Sequence, residues 1–94
     1  MDDLSTKLYE KITVTTGAAV GFTNIPARCS EALVIIEAND IRYRTDDTDP
    51  TSTLGMPISA GQSFILDGFK DISRFKAIAV SATAYISVQY IIGN

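Results

Sequence analysis

The residues with the greatest capacity for chemistry lie in one stretch, IRYRTDDTDPTSTLGMPI, which spans residues 41–58. Its carboxylates, Asp46, Asp47 and Asp49, could together hold calcium, because that ion takes carboxylate and carbonyl oxygens from flexible loops. An EF-hand would also need a closing glutamate, and this stretch has none. Asp and Thr beside Pro50 are also typical turn residues, since their side chains hydrogen-bond to neighbouring backbone N–H groups. The pattern therefore favours a turn over a metal site.

The composition removes most catalytic arrangements. The chain has 94 residues, no histidine, and Cys29 as its one cysteine, which excludes Ser-His and Cys-His nucleophile pairs, intrachain disulfides and cysteine-built metal sites. No apolar pocket is evident that would raise the pKa of one crowded carboxylate for glycosidase-type catalysis. We expect Cys29 to be a small buried residue rather than a reactive thiol. We therefore predict a protein that is not an enzyme and that uses no cofactor.

The charge distribution argues against nucleic acid and membrane partners. The formal net charge is −3, and the Lys and Arg residues are scattered, whereas phosphate binding depends on clustered basic side chains. No uninterrupted apolar run approaches the roughly 20 residues of a membrane-spanning helix. The start, MDDLSTKLYE, is acidic and polar, so we expect no secretory signal and synthesis in a reducing cytoplasm.

Apolar residues alternate with polar ones along most of the chain, which is the pattern of β-strands. The run EALVIIEA, residues 31–38, is apolar on both faces and predicts a central strand that is covered on each side. Asn39 and Asp40 then predict a tight hairpin turn, because both tolerate positive φ. Residues 81–84, SATA, are the predicted turn of a last hairpin. The final strand should carry an inward stripe of Ile86, Val88, Tyr90 and Ile92.

These strands define the predicted fold class. About seven or eight short strands, with turns roughly every 8–12 residues, indicate an all-β protein, either an antiparallel β-sandwich of jelly-roll type or a small barrel. We assign residues 12–94 to a β-sandwich domain and residues 1–11 to an N-terminal arm. Leu4 and Leu8 lie at helical spacing in that arm, which we expect to be helical or extended depending on its partner.

The composition of the last strands suggests a surface for a partner. Residues 77–92 combine short apolar strands with few charges, so an isolated copy would expose apolar faces or edges. Self-association is the simplest interpretation. Arg42 and Arg44, which share one face of a predicted strand, suit either solvent or a neighbouring subunit.

An ordered set of short motifs resembles a known family. The segment IRYRTDDTDPT, residues 41–51, is similar to the I-x-Y-x-x-D-G-x-x-P-T hairpin of chitobiase-type C-terminal β modules and of small tailed-phage virion proteins. In that phage group an A-L-V-x-I-E strand precedes the hairpin, and A-G-x-S-x-x-L-D and I-x-V-x-Y segments follow it. Residues 32–37, 60–67 and 86–90 match these in order. Asp47 stands where the related hairpins have glycine, and aspartate tolerates a positive φ there at a modest cost.

The resemblance implies a non-enzymatic β-sandwich component of a phage virion, made in the host bacterial cytoplasm. The leading hypothesis is a head decoration or cement protein: a small homo-oligomer, a trimer being favoured, that binds the major capsid protein through many weak contacts. In this hypothesis the partner-binding residues come from the arm and the hairpin: Leu4, Leu8, Tyr9, Arg42, Arg44, Asp46, Asp47 and Asp49.

Two other functions remain open at this point. A carbohydrate- or receptor-binding β module would use Tyr43 and Tyr85 to stack on a sugar, although the chain lacks the tryptophan expected of such a platform. A tail-tube, connector or baseplate component would share the β-rich composition, and rings of about six copies rather than three would favour it.

Overall fold

The computed structural model describes residues 8–92, which form seven β-strands and one short helix. In chain order these are β1 (Tyr9–Val14), β2 (Cys29–Ala38), β3 (Ile41–Arg44), β4 (Met56–Ile58), β5 (Ser63–Asp67), α1 (Phe69–Arg74), β6 (Lys76–Ala79) and β7 (Ala84–Ile92). The helix has six residues, and none of the described residues form a helix that could cross a membrane.

The strands form two antiparallel sheets around a shared core. One sheet has the order β1-β7-β2-β5 and the other the order β4-β3-β6, to which Val20 adds an isolated bridge with Ala77. When that bridge is included, the first described strand pairs with the last, the next segment pairs with the strand before the last, and so on inward. The pairs are β1 with β7, Val20 with β6, β2 with β5, and β3 with β4. This nested pairing is that of a jelly roll. The prediction of an all-β, jelly-roll-like sandwich is confirmed.

Strand alternation directs one face of each sheet into the core. Val14, Val34 and Val88 of the four-stranded sheet are fully buried, and Ile41 of the other sheet belongs to the same cluster. In the predicted inward stripe of β7, Ile86, Val88 and Tyr90 are buried, but Ile92 is exposed at the strand end. Alternation therefore predicts the burial of these side chains correctly, except at the end of the strand.

An aromatic cluster fills part of the space between the sheets. The Phe75 ring lies parallel to the Phe22 ring, with centroids 4.5 Å apart, and stacks on Tyr43 at 5.5 Å. Tyr43 also stacks on Phe64 at 4.7 Å, and Phe22 meets Tyr90 edge-on at 5.9 Å. Because such ring pairs contribute beyond their buried area, this cluster is a major source of stability.

Two predicted hairpin turns are wrong. Strands β2 and β3, which flank Asn39 and Asp40, lie in different sheets, and so do β6 and β7, which flank residues 81–84. The register of β2 shifts near its end and Asn39 has a φ of 63°, so the chain turns a corner and crosses to the other sheet. The Asn39 side-chain amide donates to the Thr83 carbonyl oxygen at 2.7 Å, which ties the two corners together.

The helix α1 is a further difference from the prediction, because the alternation pattern indicates no helix in this region. Gly68, with a φ of 102°, is the N-cap residue just before the helix, and Ile72 is fully buried against the core. The three-residue spacing of Phe69, Ile72 and Phe75 is the signal that could have revealed a departure from the strand pattern.

The predicted boundary between arm and domain lies too late in the chain. β1 begins at Tyr9, so residues 9–11 pair with β7 and belong to the sheet. The Leu8 carbonyl oxygen accepts a hydrogen bond of 2.7 Å from the Tyr90 N–H, so Leu8 is also held at this edge. Leu4 lies outside the described residues.

Candidate functional site

The acidic loop connects β3 to β4, and two of its carboxylates pair with arginines. Asp46 makes a two-point ion pair with Arg44, at 3.0 and 2.5 Å. The hydrogen bonds from Arg44 hold the pKa of Asp46 below its ordinary value. Asp47 pairs with Arg74 at 3.3 Å, whereas Asp49 is exposed. Arg44, Asp46 and Asp47, predicted to bind a partner, are therefore engaged within the chain.

The backbone of this loop is held by polar groups of the hairpin itself. The Thr51 hydroxyl accepts a hydrogen bond of 3.0 Å from the Leu54 N–H. Arg42 donates from Nε to the Ser52 carbonyl oxygen at 3.2 Å and from a terminal nitrogen to the Gly55 carbonyl oxygen at 2.8 Å. Arg42 therefore fixes the shape of the loop. This arrangement agrees with the prediction that the stretch forms a turn.

The geometry at Asp47 bears on both the hairpin resemblance and the calcium interpretation. Its φ is 65°, so aspartate holds a positive φ at the position where the hairpin motif that it resembles has glycine. Within residues 8–92, no three His, Cys, Asp or Glu side chains are grouped so that they could hold a metal ion. The described part of the loop is thus arranged as a turn.

A shallow depression of 390 Å³ lies beside the hairpin loop. Its lining residues are Arg44, Thr45, Asp46, Leu54, Gly55 and Met56. The Arg44–Asp46 pair supplies its charges, and both partners already satisfy each other. The one hydroxyl in the lining, that of Thr45, has no histidine or lysine base beside it in this set. The depression could accept an apolar side chain, but its lining does not form a catalytic arrangement.

We expect Arg42→Ala to loosen the hairpin loop. The variant loses the hydrogen bonds to the Ser52 and Gly55 carbonyl oxygens, and part-exposed bonds of this kind together contribute about 1–2 kcal/mol to the free energy of unfolding. Chemical denaturation should show that loss, and limited proteolysis should cut residues 46–55 faster.

The matched control for that variant is Arg44→Ala, which removes the exposed ion pair with Asp46. Exposed pairs contribute little to stability because solvent screens them, so this variant should keep the wild-type proteolysis rate. Equal effects of the two substitutions would contradict the structural role of Arg42.

Comparison with known proteins did not identify a relative. No protein-family model, curated protein or solved structure matches this chain.

The outer face of the four-stranded sheet carries apolar side chains where a solvated face usually carries polar ones. Leu33 of β2 lies directly opposite Ile65 of β5, and Ile35 occupies the next outward position on β2. Ile91 of β7 lies diagonally beside Leu33. We call Leu33, Ile35, Ile65 and Ile91 the outer apolar patch. Strand β2 is central, as predicted, but within residues 8–92 only one of its two faces is covered.

The other half of this face carries a polar network. The Ser87 hydroxyl accepts from the Tyr9 hydroxyl at 2.9 Å and donates to the Glu37 carboxylate. Lys11 completes the network with an ion pair of 3.2 Å to Glu37. The hydrogen bonds from Ser87 and Lys11 lower the pKa of Glu37. Tyr9, predicted as an anchor in the arm, is therefore part of the sheet surface.

The sugar platform suggested by the sequence does not form from Tyr43 and Tyr85. Tyr43 stacks on Phe64 and Phe75 in the core, where burial raises the pKa of its hydroxyl. Tyr85 lies on the outer face of the other sheet, with the Lys11 ammonium 5.8 Å from its ring centroid. The two tyrosines belong to opposite sheets and cannot stack on the same sugar.

Glu10 is the residue that the sequence analysis missed. Glu10 is 7% exposed. Its carboxylate accepts hydrogen bonds from the Thr23 N–H at 2.9 Å, the Thr23 hydroxyl, the Asn24 N–H at 3.1 Å and the Tyr90 hydroxyl at 2.5 Å. Burial alone would raise its pKa, but these hydrogen bonds outweigh burial and hold the pKa below the ordinary value of 4.5. The inward position of Glu10, in alternation with Ile12 and Val14, was the available signal.

Cys29 is a buried thiol at the start of β2, as predicted. Burial raises the pKa of the thiol, and its Sγ donates to the Glu31 carbonyl oxygen at 3.1 Å. A thiol with a raised pKa and a local acceptor is a weak nucleophile near neutral pH.

Proposed function

We propose that this protein is a non-enzymatic structural component of a tailed-phage particle, with head decoration as its leading role. The motif resemblance of residues 32–90 suggests the phage particle, and the outer apolar patch is the structural observation that supports a partner-binding role. Leu33 and Ile35 make the central strand apolar on both faces, yet no element among residues 8–92 covers their side of the sheet. Contiguous open apolar surface on a small domain is typical of a protein–protein contact.

The proposal moves the shell contact from the hairpin loop to the outer sheet face. Arg42, Arg44, Asp46 and Asp47 are engaged in building the loop, so they offer little to a partner. The outer patch ends at Glu31 and Asp67, which lie opposite each other. A major capsid protein with an apolar centre and a polar or basic border would complement this face.

Weak contacts suffice for this function because a particle repeats them. Each copy binds the shell through the rigid face of a sandwich, and copies that also contact one another attach with a combined affinity far above that of one contact. A trimer on the particle, as the resemblance implies, is one closed arrangement that provides such contacts.

The test uses particles assembled without this protein. Such particles should be inactivated at a lower temperature, and added purified protein should restore the wild-type temperature. Ile35→Lys should bind these particles at least about tenfold more weakly, because a charge would enter an apolar contact. Leu54→Lys, at a 61% exposed position on the hairpin loop, is the matched control and should bind normally.

The location of the bound protein separates the hypotheses. Mass spectrometry of gradient-purified heads and tails should find it with the heads. Its presence on tails alone would favour the tail or connector function, and equal binding by Ile35→Lys would rule out the outer patch as the shell contact. Its absence from both fractions would overturn the proposed function.

A further inference from the structure

The described part of the sandwich has strand edges that differ in how well they can pair. The edges of the two sheets include β1, β4 and β5. Pro57 stands at the centre of β4 and has no N–H, and Lys11 places a charge in β1. Both are features that discourage edge pairing. Strand β5, with the sequence SFILD, has no proline, carries its one charge at its last residue, Asp67, and has Ile65 at its centre.

The hydrogen-bond ladder determines which backbone groups of β5 face outward. The Gly68 N–H donates to the Ser30 carbonyl oxygen at 2.8 Å, which fixes the phase of the β2–β5 pairing. Because bonded and non-bonded residues alternate in an antiparallel pair, Phe64 and Leu66 bond to β2. The residues between them must direct their N–H and C=O groups away from β2.

Three residues of β5 therefore present an open row of backbone donors and acceptors. These are Ser63, Ile65 and Asp67, and no other part of residues 8–92 supplies them with backbone partners. Their side chains also point to the outer face, where Ile65 is 60% exposed. The open row and the outer apolar patch thus meet at Ile65.

We propose that β5 pairs antiparallel with β5 of a second copy, about a two-fold axis at Ile65. The two Ile65 residues then face each other, and each Ser63 lies opposite Asp67 of the other copy. Pairing of the outward groups provides about six main-chain hydrogen bonds across the axis. The two four-stranded sheets become one continuous sheet.

The residues of β5 make a second copy the matching partner. In this register the Ser63 hydroxyl can donate to the Asp67 carboxylate across the axis, and the two Asp67 side chains stay at opposite ends. A shift that brings Asp67 opposite Asp67 would place like charges together, which is unfavourable in a cross-strand pair. The central register also pairs all the outward groups of the strand, which no shifted register does.

This inference rests on the self-association contained in the proposed function and gives it a geometry. A two-fold axis perpendicular to a continuous sheet keeps the outer faces of both copies on the same side. The two outer apolar patches then form one surface that can lie against a shell. The contact predicts a dimer in solution and can coexist with a three-fold contact on a particle.

The first test is the mass of the protein in solution. Light scattering at micromolar concentration should give about 20 kDa, twice the 10.1 kDa of one chain. Ile65→Lys should raise the dissociation constant at least about tenfold, since it sets lysine opposite lysine. Met56→Lys, at a residue with the same 60% exposure on β4, is the matched control and should remain a dimer.

The second test uses the wild-type chain, so it does not depend on the folding of a variant. Backbone amide exchange of Ser63, Ile65 and Asp67 should slow as protein concentration rises, while Phe64 and Leu66 should be protected at all concentrations. A monomer at every concentration up to about 1 mM, the Kd range of the weakest specific contacts, would overturn the pairing.

The outcomes distinguish this inference from the proposed function. If the chain self-associates while the three outward amides exchange at the monomer rate, the β5 contact is wrong and the particle function stands. If the amides are protected but the protein binds neither heads nor tails, the contact is correct and the particle function is wrong.

Discussion

Replacing Glu10 with alanine should lower the free energy of unfolding by about 3–5 kcal/mol, because buried hydrogen-bond donors would be left without the carboxylate that accepts from them. The Thr23 N–H, the Thr23 hydroxyl, the Asn24 N–H and the Tyr90 hydroxyl would all lose their acceptor. A domain of this size has only about 5–14 kcal/mol in total. The change would therefore remove a large share of the stability, and urea denaturation followed by circular dichroism would measure it.

The matched control for Glu10→Ala is Glu31→Ala. Glu31 lies on the same sheet but on its outer face, so its loss should change the free energy of unfolding by less than about 0.5 kcal/mol. If both substitutions had the same effect, the hydrogen bonds of Glu10 could not be the source of the stability.

The pH dependence of stability provides a second test of the role of Glu10. The folded pKa of Glu10 lies below its ordinary value of 4.5, so its contribution to stability is complete above about pH 4.5 and is lost as pH falls through the folded pKa. Glu10→Gln should be less stable at pH 7 and should lose less stability on acidification. A constant difference between wild type and Glu10→Gln from pH 7 to pH 3 would contradict this assignment.

Phe75→Ala should lower the free energy of unfolding by about 3–5 kcal/mol, the usual range for deleting a buried aromatic ring. Phe75 is 1% exposed and stacks on Phe22 and Tyr43, with Phe64 close by. The cavity would lie between the two sheets, so the aromatic circular dichroism signal should weaken together with the thermal midpoint.

Two further variants of phenylalanine make the Phe75 result specific. Phe75→Leu keeps most of the buried volume and should cost less than about 1.5 kcal/mol. Phe69→Ala removes a half-exposed ring at the start of α1 and should cost less than about 1 kcal/mol. If Phe69→Ala lowered the free energy of unfolding as much as Phe75→Ala, the aromatic cluster would not be the dominant part of the core.

Together these effects separate the parts of the molecule that hold it folded from the surfaces that we propose for a partner. Glu10 lies on β1 of the four-stranded sheet, and Phe75 directly precedes β6 of the other sheet. Both stabilise the interior between the two sheets. Within residues 8–92, the outer apolar patch is exposed and the β5 edge has backbone groups without partners, so both contribute little to folding of a single copy. Substitutions there should alter assembly more than folding.

The sequence by itself determined the local features of this protein. Alternation with period two assigned the strands and placed Ile86, Val88 and Tyr90 in the core. Turn chemistry located the hairpin loop, and the tolerance of aspartate for positive φ anticipated the backbone at Asp47. These features depend on neighbouring residues, so short windows of sequence contain the information.

Only the tertiary structure decided which strands pair and what the buried polar groups contact. The turn at Asn39 has the residues of a hairpin, but its flanking strands find partners in different sheets. Glu10 bonds to Thr23 and, 80 positions away in the chain, to Tyr90. Turn residues and strand periodicity are the same for a hairpin and for a corner between sheets. Whether the chain forms a hairpin or a corner depends on burial summed over the whole sandwich, and a local sequence pattern does not contain that information.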